Sequence, residues 1–383
     1  MIPNRIEKVS WIIAGGLLVV FAGALLALGV AAHTDPTEMD TTAYLTAAFH
    51  VRDTGGIPAH VANCFRGVYW PATQHPLYLL LISPVAEHSI EFFVKAKWLS
   101  AVGGVLSLAA VFWAAWRLWG MLEAFLAVMF MASGATFLRL STMVACEAFL
   151  AAAFVGFFLM ACRGFEPGRS RAWWWAGLWA SAAFLTKSLG ILALGIFGIS
   201  ALWIYRRNLR GLFGNKAFWI FFLAFLIPAT PLLARNIRVH GQPLYSDSSA
   251  VLWVDRYTDY TPEKAAAGLI GIGPYLKTHS VRRIAATLWA GLEDRNPRML
   301  IDGLKPFRFW APVDLSTLTG FHKKTVPWQG PWALGILVLA AAGLWRCRRT
   351  PAAVVGVVSI GIFYVFVAWY SKIYHSSPPT RIL

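Results

Sequence analysis

Charge is scarce in this chain, and acidic charge scarcest: 18 Asp and Glu against 34 Lys and Arg, together 14% of 383 residues, with hydrophobic residues at 58%. A soluble domain carries about 25% charged and about 45–50% apolar residues, so a soluble globular protein is excluded. Cysteine is nearly absent as well. Cys64, Cys146, Cys162 and Cys347 form no CxxC pair and no metal-ligand spacing, which removes a zinc module and a disulfide framework. A bridge between Cys64 and Cys146 stays open. Internal repeats and low-complexity runs are missing too. The net charge of +16 suggests a nucleic-acid partner at first sight. Its basic residues are dispersed among short loops between apolar runs, where they orient a membrane protein and meet anionic lipid. Nucleic acid is rejected on that ground.

What is present is apolar sequence in membrane-sized portions. A crossing takes about 20 residues. Spans are expected near 11–32, 92–116, 121–138, 144–162, 173–186, 189–205, 217–234, 331–345 and 352–370, about nine in all. The first has no small-residue cleavage site and reads as an uncleaved span. Nineteen Trp and eleven Tyr suit interfacial aromatic belts. Arg5 and Lys8, then Arg163, Arg169 and Arg171, then Arg206, Arg207, Arg210 and Lys216, then Arg346, Arg348 and Arg349 all fall on one side if the N-terminus is cytoplasmic. The expected setting is the plasma membrane, multi-pass, with loop 33–91, segment 235–330 and the C-terminal tail outside.

The loop 33–91 concentrates the polar chemistry. It holds Asp35, Glu38, Asp40, His50, Arg52, Asp53, His60, Arg66 and His75. Acidic groups beside hydrocarbon are costly and mark function by default. Residues 40–52 suit a short helix on the membrane, and 75–88, too short to cross and interrupted by Pro84, an interfacial one. Asp40 is the foremost candidate, as a general base for an incoming hydroxyl; Asp heading a helix is also a good N-cap, and local sequence by itself favours the cap. Other charged or polar residues fall at outer span ends. Glu147 is expected about one turn into a span, its simplest ion-pair partner Arg139. Lys187 lies in the turn between spans five and six, where snorkelling would also explain it. Arg235 and Arg238 stand where span seven ends, the place of interfacial anchors. Segment 245–328 is expected as a small outer subdomain, with Trp253, Trp289, Phe309 and Trp310 to bury and a basic run 277–283 suited to anionic headgroups or an acidic acceptor. Glu147, His240 and Asp247 offer donor atoms to a divalent cation, but no spacing selects a metal site.

The order of these features resembles the GT-C class of membrane glycosyltransferases, in particular the protein O-mannosyltransferase and aminoarabinose-transferase superfamily. Asp40 followed by Tyr44 matches the acidic element of the first outer loop. His75-Pro76-Leu77 matches the HPPL or KPP element, Glu147 the acidic residue opening the fourth span, and Leu185-Thr186-Lys187-Ser188 the LTKG element. Pro231 to Asn236 with Gly241 to Pro243 matches P-x-x-x-R-N and its Gly-x-Pro. Thr41 replaces the second acid of the pair, Ala43 an arginine of the aminoarabinose branch, and His75 the lysine of KPP. The resemblance implies an all-α, GT-C-like bundle of about nine spans, with a core over 1–234, an extracytoplasmic segment 235–330 and a C-terminal pair and tail 331–383. It implies an inverting transferase taking a sugar from a polyprenyl-phosphate donor to a lipid, glycan or protein hydroxyl, cell-envelope lipopolysaccharide included. Asp40 and Glu147 would be catalytic. Tyr44, Tyr69, His75, Lys187, Arg235 and Arg238 would bind donor phosphate or sugar. A flippase or transporter of a lipid-linked sugar is the alternative. Transporters usually show internal repeats and broken mid-membrane helices, whereas the polar residues here gather at outer span ends.

Overall fold

A computed structural model of the chain describes residues 5–37, 40–68, 75–292, 343 and 350–370. Among them every element is helical. Four helices are long and apolar enough to cross a bilayer: α5 (Ile90–Leu118), α8 (Glu147–Gly164), α12 (Lys216–His240) and α17 (Pro351–Tyr370). Other apolar helices are shorter, as in α6 (Met121–Ala132), while α1 (Arg5–Ala32) runs for 28 residues over the first expected span. The protein is therefore a helical membrane protein, with four spans of that length and composition among the described residues against the larger number expected. The span expected at 331–345 lies outside them but for residue 343.

Between α1 and α5 the chain forms α2 (Thr41–Asp53), α3 (Gly56–Arg66), α4 (Pro76–Ile82) and a 3-10 turn, Ser83–Val85. The two short helices expected on the membrane surface are thus present as α2 and α4, and α3 is added to them. After α5 the expected continuous span 121–138 is two helices, α6 and α7 (Ala135–Thr142). The break falls at Ser133-Gly134, where the Ser133 hydroxyl takes the carbonyl of Phe130 at 3.0 Å and so competes with the helical ladder.

Residues 143–146 are buried and not helical. Irregular backbone survives at membrane depth only where protein surrounds it. Here the Ser100 hydroxyl of α5 supplies contacts to Ala145 N and O at 3.5 and 3.4 Å. Glu147 is consequently the first residue of α8 and not one turn inside a span. The positive end of the helix favours a carboxylate there.

The core lies among α8, α9 (Ala172–Thr186), α10 (Leu192–Ile204) and α12. Trp173, Phe157, Phe197 and Phe221 are fully buried. The Phe197 and Phe221 rings stack with centroids 3.7 Å apart, and Trp173 meets Phe197 edge-on at 5.4 Å. Against lipid the hydrophobic effect gives helices little reason to associate, so close packing of this kind carries the cohesion. Gly177 lets α9 approach α12 closely: an added Cβ would stand 2.3 Å from the Phe221 carbonyl oxygen.

α12 holds Pro228 and Pro231 and still runs to His240, six residues past the expected span end at 234. Proline deprives a carbonyl one turn earlier of its donor; one turn before Thr230, its hydroxyl serves the Leu226 carbonyl at 2.7 Å. Arg235 and Arg238 therefore sit on helix and not in the exit loop. At the far end of α1, Lys97 of α5 reaches the carbonyls of Val30, at 2.8 Å, and His33. It satisfies one of the last acceptors of α1 and the carbonyl just past its end, and so fixes where the chain leaves that helix toward Asp40.

Candidate functional site

The site is assembled where α8 begins and α9 ends. α8 and α9 are consecutive, antiparallel and of similar length, 18 and 15 residues. The residue opening one and the residue following the other must meet at the same end of the pair. They are Glu147 and Lys187, and the Lys187 ammonium lies 2.5 Å from the Glu147 carboxylate. The partner expected for Glu147 was Arg139, on the preceding helix. The helical hairpin supplies Lys187 instead. Burial works against the charge on Lys187, yet its negative surroundings, Glu147 and Asp40 among them, hold the ammonium above the ordinary lysine range.

Asp40 occupies the N-cap position of α2 and makes no side-chain cap hydrogen bond. Its backbone carbonyl accepts from the Tyr44 amide at 3.0 Å. The carboxylate is exposed, and its charge acts on both Lys187 and Tyr44. One turn along α2, Tyr44 is buried, with its hydroxyl donating to Cys146 Sγ at 3.1 Å. Its ring meets Tyr78 edge-on at 5.0 Å, and the Tyr78 hydroxyl lies 2.6 Å from that of Ser100. Burial first, and then the neighbouring Cys146, Glu147 and Asp40, push the Tyr44 phenol well above its usual value. It stays protonated, and it ties α2 to the residue just before Glu147. Sequence reading weighed Cys146 only as a bridging thiol. The structure has Cys64, Cys146 and Cys162 all free and buried.

His75 precedes α4, whose first residue is Pro76. Its Nδ1 hydrogen-bonds the Phe184 carbonyl in the last turn of α9, so Nδ1 carries the proton and Nε2 the lone pair. Burial, with Lys187 and Arg235 nearby adding to it, lowers its pKa to about 4. The ring is neutral and brings no positive charge to the group. Arg235 is buried and donates to Asn236 Oδ1 at 2.8 Å, and its charge falls on His75 and Cys64. Asn236 in turn donates to the carbonyls of Pro243 and Tyr245 at 3.0 and 2.9 Å. The R-N…G-x-P element thus folds the chain back under the end of α12, with Gly241 at φ 67°, a left-handed turn glycine accepts readily. Arg238 is exposed and lies against Gly67 at the end of α3. Tyr69 lies outside the described residues.

The structure therefore gathers Asp40, Tyr44, His75, Glu147, Lys187 and Arg235, and leaves Arg238 at the rim. Among the described residues no three His, Cys, Asp or Glu side chains are placed to hold a metal. His60, buried on α3, is also held near pKa 4, by burial first and then by His50. Two rings that stay neutral when folded, but take a proton at about 6.5 when unfolded, make the fold sensitive to acid. Stability contributed this way is intact above pH 6.5 and falls as pH drops toward 4, by about 1.4 kcal/mol per unit for each ring. Thermal unfolding in detergent should show the midpoint falling between pH 7 and 5, and less steeply in His75→Asn. A flat profile would show that the rings protonate without cost.

Residues 76–234 match the model of the family described as dolichyl-phosphate-mannose-protein mannosyltransferase. The match opens on the first residue of α4, takes in Glu147 and Lys187, and closes inside α12 just before Arg235. No curated protein and no solved structure matches the chain. In the segment that carries the Glu147–Lys187 pair, this membrane protein is GT-C glycosyltransferase-like and similar to the dolichyl-phosphate-mannose-protein mannosyltransferases.

Proposed function

We propose that the chain is an inverting glycosyltransferase that moves a sugar from a polyprenyl phosphate to a hydroxyl of a lipid, glycan or protein acceptor at the extracytoplasmic membrane face. The observation that supports this most is the state of Asp40: a carboxylate that heads a helix without capping it, is exposed, and stands within electrostatic reach of the Lys187 ammonium. As the acceptor oxygen attacks the anomeric carbon, Asp40 takes its proton. The bond from that carbon to the phosphate oxygen breaks, and its electrons leave with the polyprenyl phosphate. Lys187 and Arg235 stabilise the negative charge that develops there. Glu147 aims Lys187. His75 fixes the end of α9 from which Lys187 projects, and offers only the Nε2 lone pair. Tyr44 holds α2 over α8. One base with no covalent sugar intermediate inverts the anomeric centre.

The matched family is described by mannose on dolichyl phosphate, so a polyprenyl-phosphate mannose is the first donor to assay. Purified protein in nanodiscs, given that donor with its sugar labelled and a lipid and glycan extract of its own membranes, should consume donor, release polyprenyl phosphate and give a product of opposite anomeric configuration by NMR. Retention of configuration would eliminate the single displacement. Donor moved across sealed vesicles without being consumed would make the protein a carrier.

A further inference from the structure

Beyond the family match the chain forms α13 (Asp247–Val251), α14 (Pro262–Ala266), α15 (Ile272–Thr278) and α16 (Val281–Ala290), and residues of α14, of α15 and of the segments before and after α14 line a cleft of ≈ 290 Å³. Its lining includes Trp253, Asp255, Asp259, Lys264, Tyr275 and His279. One wall is rigid. Asp255 accepts from the Tyr275 hydroxyl at 3.1 Å, from His279 Nε2 at 3.0 Å and from Arg283 at 2.6 Å. Arg283, expected in a basic run for anionic headgroups or an acidic acceptor, pairs with this carboxylate. The Trp253 ring is half-buried, 5.9 Å from Tyr275 and 6.0 Å from Trp369 at the end of α17. Trp289, expected to be buried here, is exposed.

Charge in the cleft is balanced. Asp255 is matched by Arg283, and Asp259 shares the lining with Lys264. An anionic ligand would meet two carboxylates. A cationic one would find Asp255 already taken. A neutral ligand bearing hydroxyls and an apolar face suits it best: Asp259 accepts from hydroxyls, Lys264 donates to them, and the Trp253 indole offers a flat surface. The volume lies at the low end of ligand pockets, about 300–1,000 Å³, the scale of one or two sugar rings. The end of α12 that carries Arg235 leads to the cleft through residues 241–252, and Asn236 pins the start of that connection. Trp369 of α17 donates to the Leu252 carbonyl at 3.0 Å beneath it.

We propose that this cleft binds a neutral saccharide, the carbohydrate portion of the acceptor, beside the transfer site. The role as acceptor subsite rests on the transferase reading above; the binding itself does not. The test is full-length protein in nanodiscs, without donor, on a printed array of neutral and acidic glycans, comparing wild type with Trp253→Ala, Asp259→Asn and Asp40→Asn. Asp259 is exposed, so its variant reports on the cleft even if Trp253→Ala fails to fold. Neutral glycans should be retained by wild type and by Asp40→Asn, and at least about tenfold more weakly by the cleft variants, the size of one lost polar or stacking contact. No retained neutral glycan, preference for acidic glycans, or equal retention by Asp259→Asn would overturn the proposal. Array binding with no turnover in the donor assay would leave the cleft standing and remove the transferase.

Discussion

Asp40→Asn lowers turnover by about 10²–10⁴-fold, the usual worth of a positioned base, with expression and thermal stability close to wild type. The substitution keeps shape and removes only the capacity to take a proton. Its structural cost is small, because the side chain is exposed and makes no cap hydrogen bond that Asn would lose. Surface changes away from such features fall within about ±0.5 kcal/mol. The loss should appear in kcat, with donor KM little changed, since Asp40 is not among the groups proposed to hold the phosphate. Wild-type turnover at wild-type expression would return Asp40 to the role of a helix-terminal residue and leave the acceptor hydroxyl without a base.

The polar plan of the site was readable because a membrane chain admits so few charges that each stands out. Asp40, Glu147, Lys187 and Arg235 were all legible on that ground, as were α2 and α4 from their length and Pro84. Lys97 carried the same signal, an ionisable group within an apolar run, and went unread. Partners were harder. Proximity in sequence pairs Glu147 with Arg139, but an antiparallel hairpin brings together residues forty apart at the expense of near neighbours. The similar lengths of α8 and α9 hold that information. The orientation of Tyr44 was not legible. Its period along α2 is compatible with facing donor or protein, and burial against Cys146 decides it. Helix ends moved for local reasons that hydropathy does not weigh: a serine and glycine splitting 121–138, a buried irregular stretch delaying α8, and a threonine hydroxyl that serves a carbonyl in α12 near its prolines. The small outer subdomain was expected from its tryptophans, yet one of them, Trp289, lies on the surface.

Removing Lys187 is the second large effect, and a cycle with Glu147 separates chemistry from architecture. Lys187→Met should cut kcat by about 10²–10³-fold, as loss of a preorganised positive group facing developing charge does. It also leaves Glu147 without its counter-charge at the start of α8, and Glu147→Gln does the converse to Lys187. Side chains of the pair are 27% and 38% exposed, so either single change should destabilise by only about 1 kcal/mol, between the values for surface and buried pairs. The double variant Glu147→Gln/Lys187→Met removes both charges, and thermal stability should return toward wild type. Its rate should not, because the proposed phosphate site then keeps only Arg235 of its two described cations, held on α12 by its bond to Asn236. Glu147→Gln alone should fall between, since Lys187 keeps its charge but loses its aim. Recovery of rate together with stability in the double variant would make the pair a brace between α8 and α9, and would take Lys187 out of the chemistry.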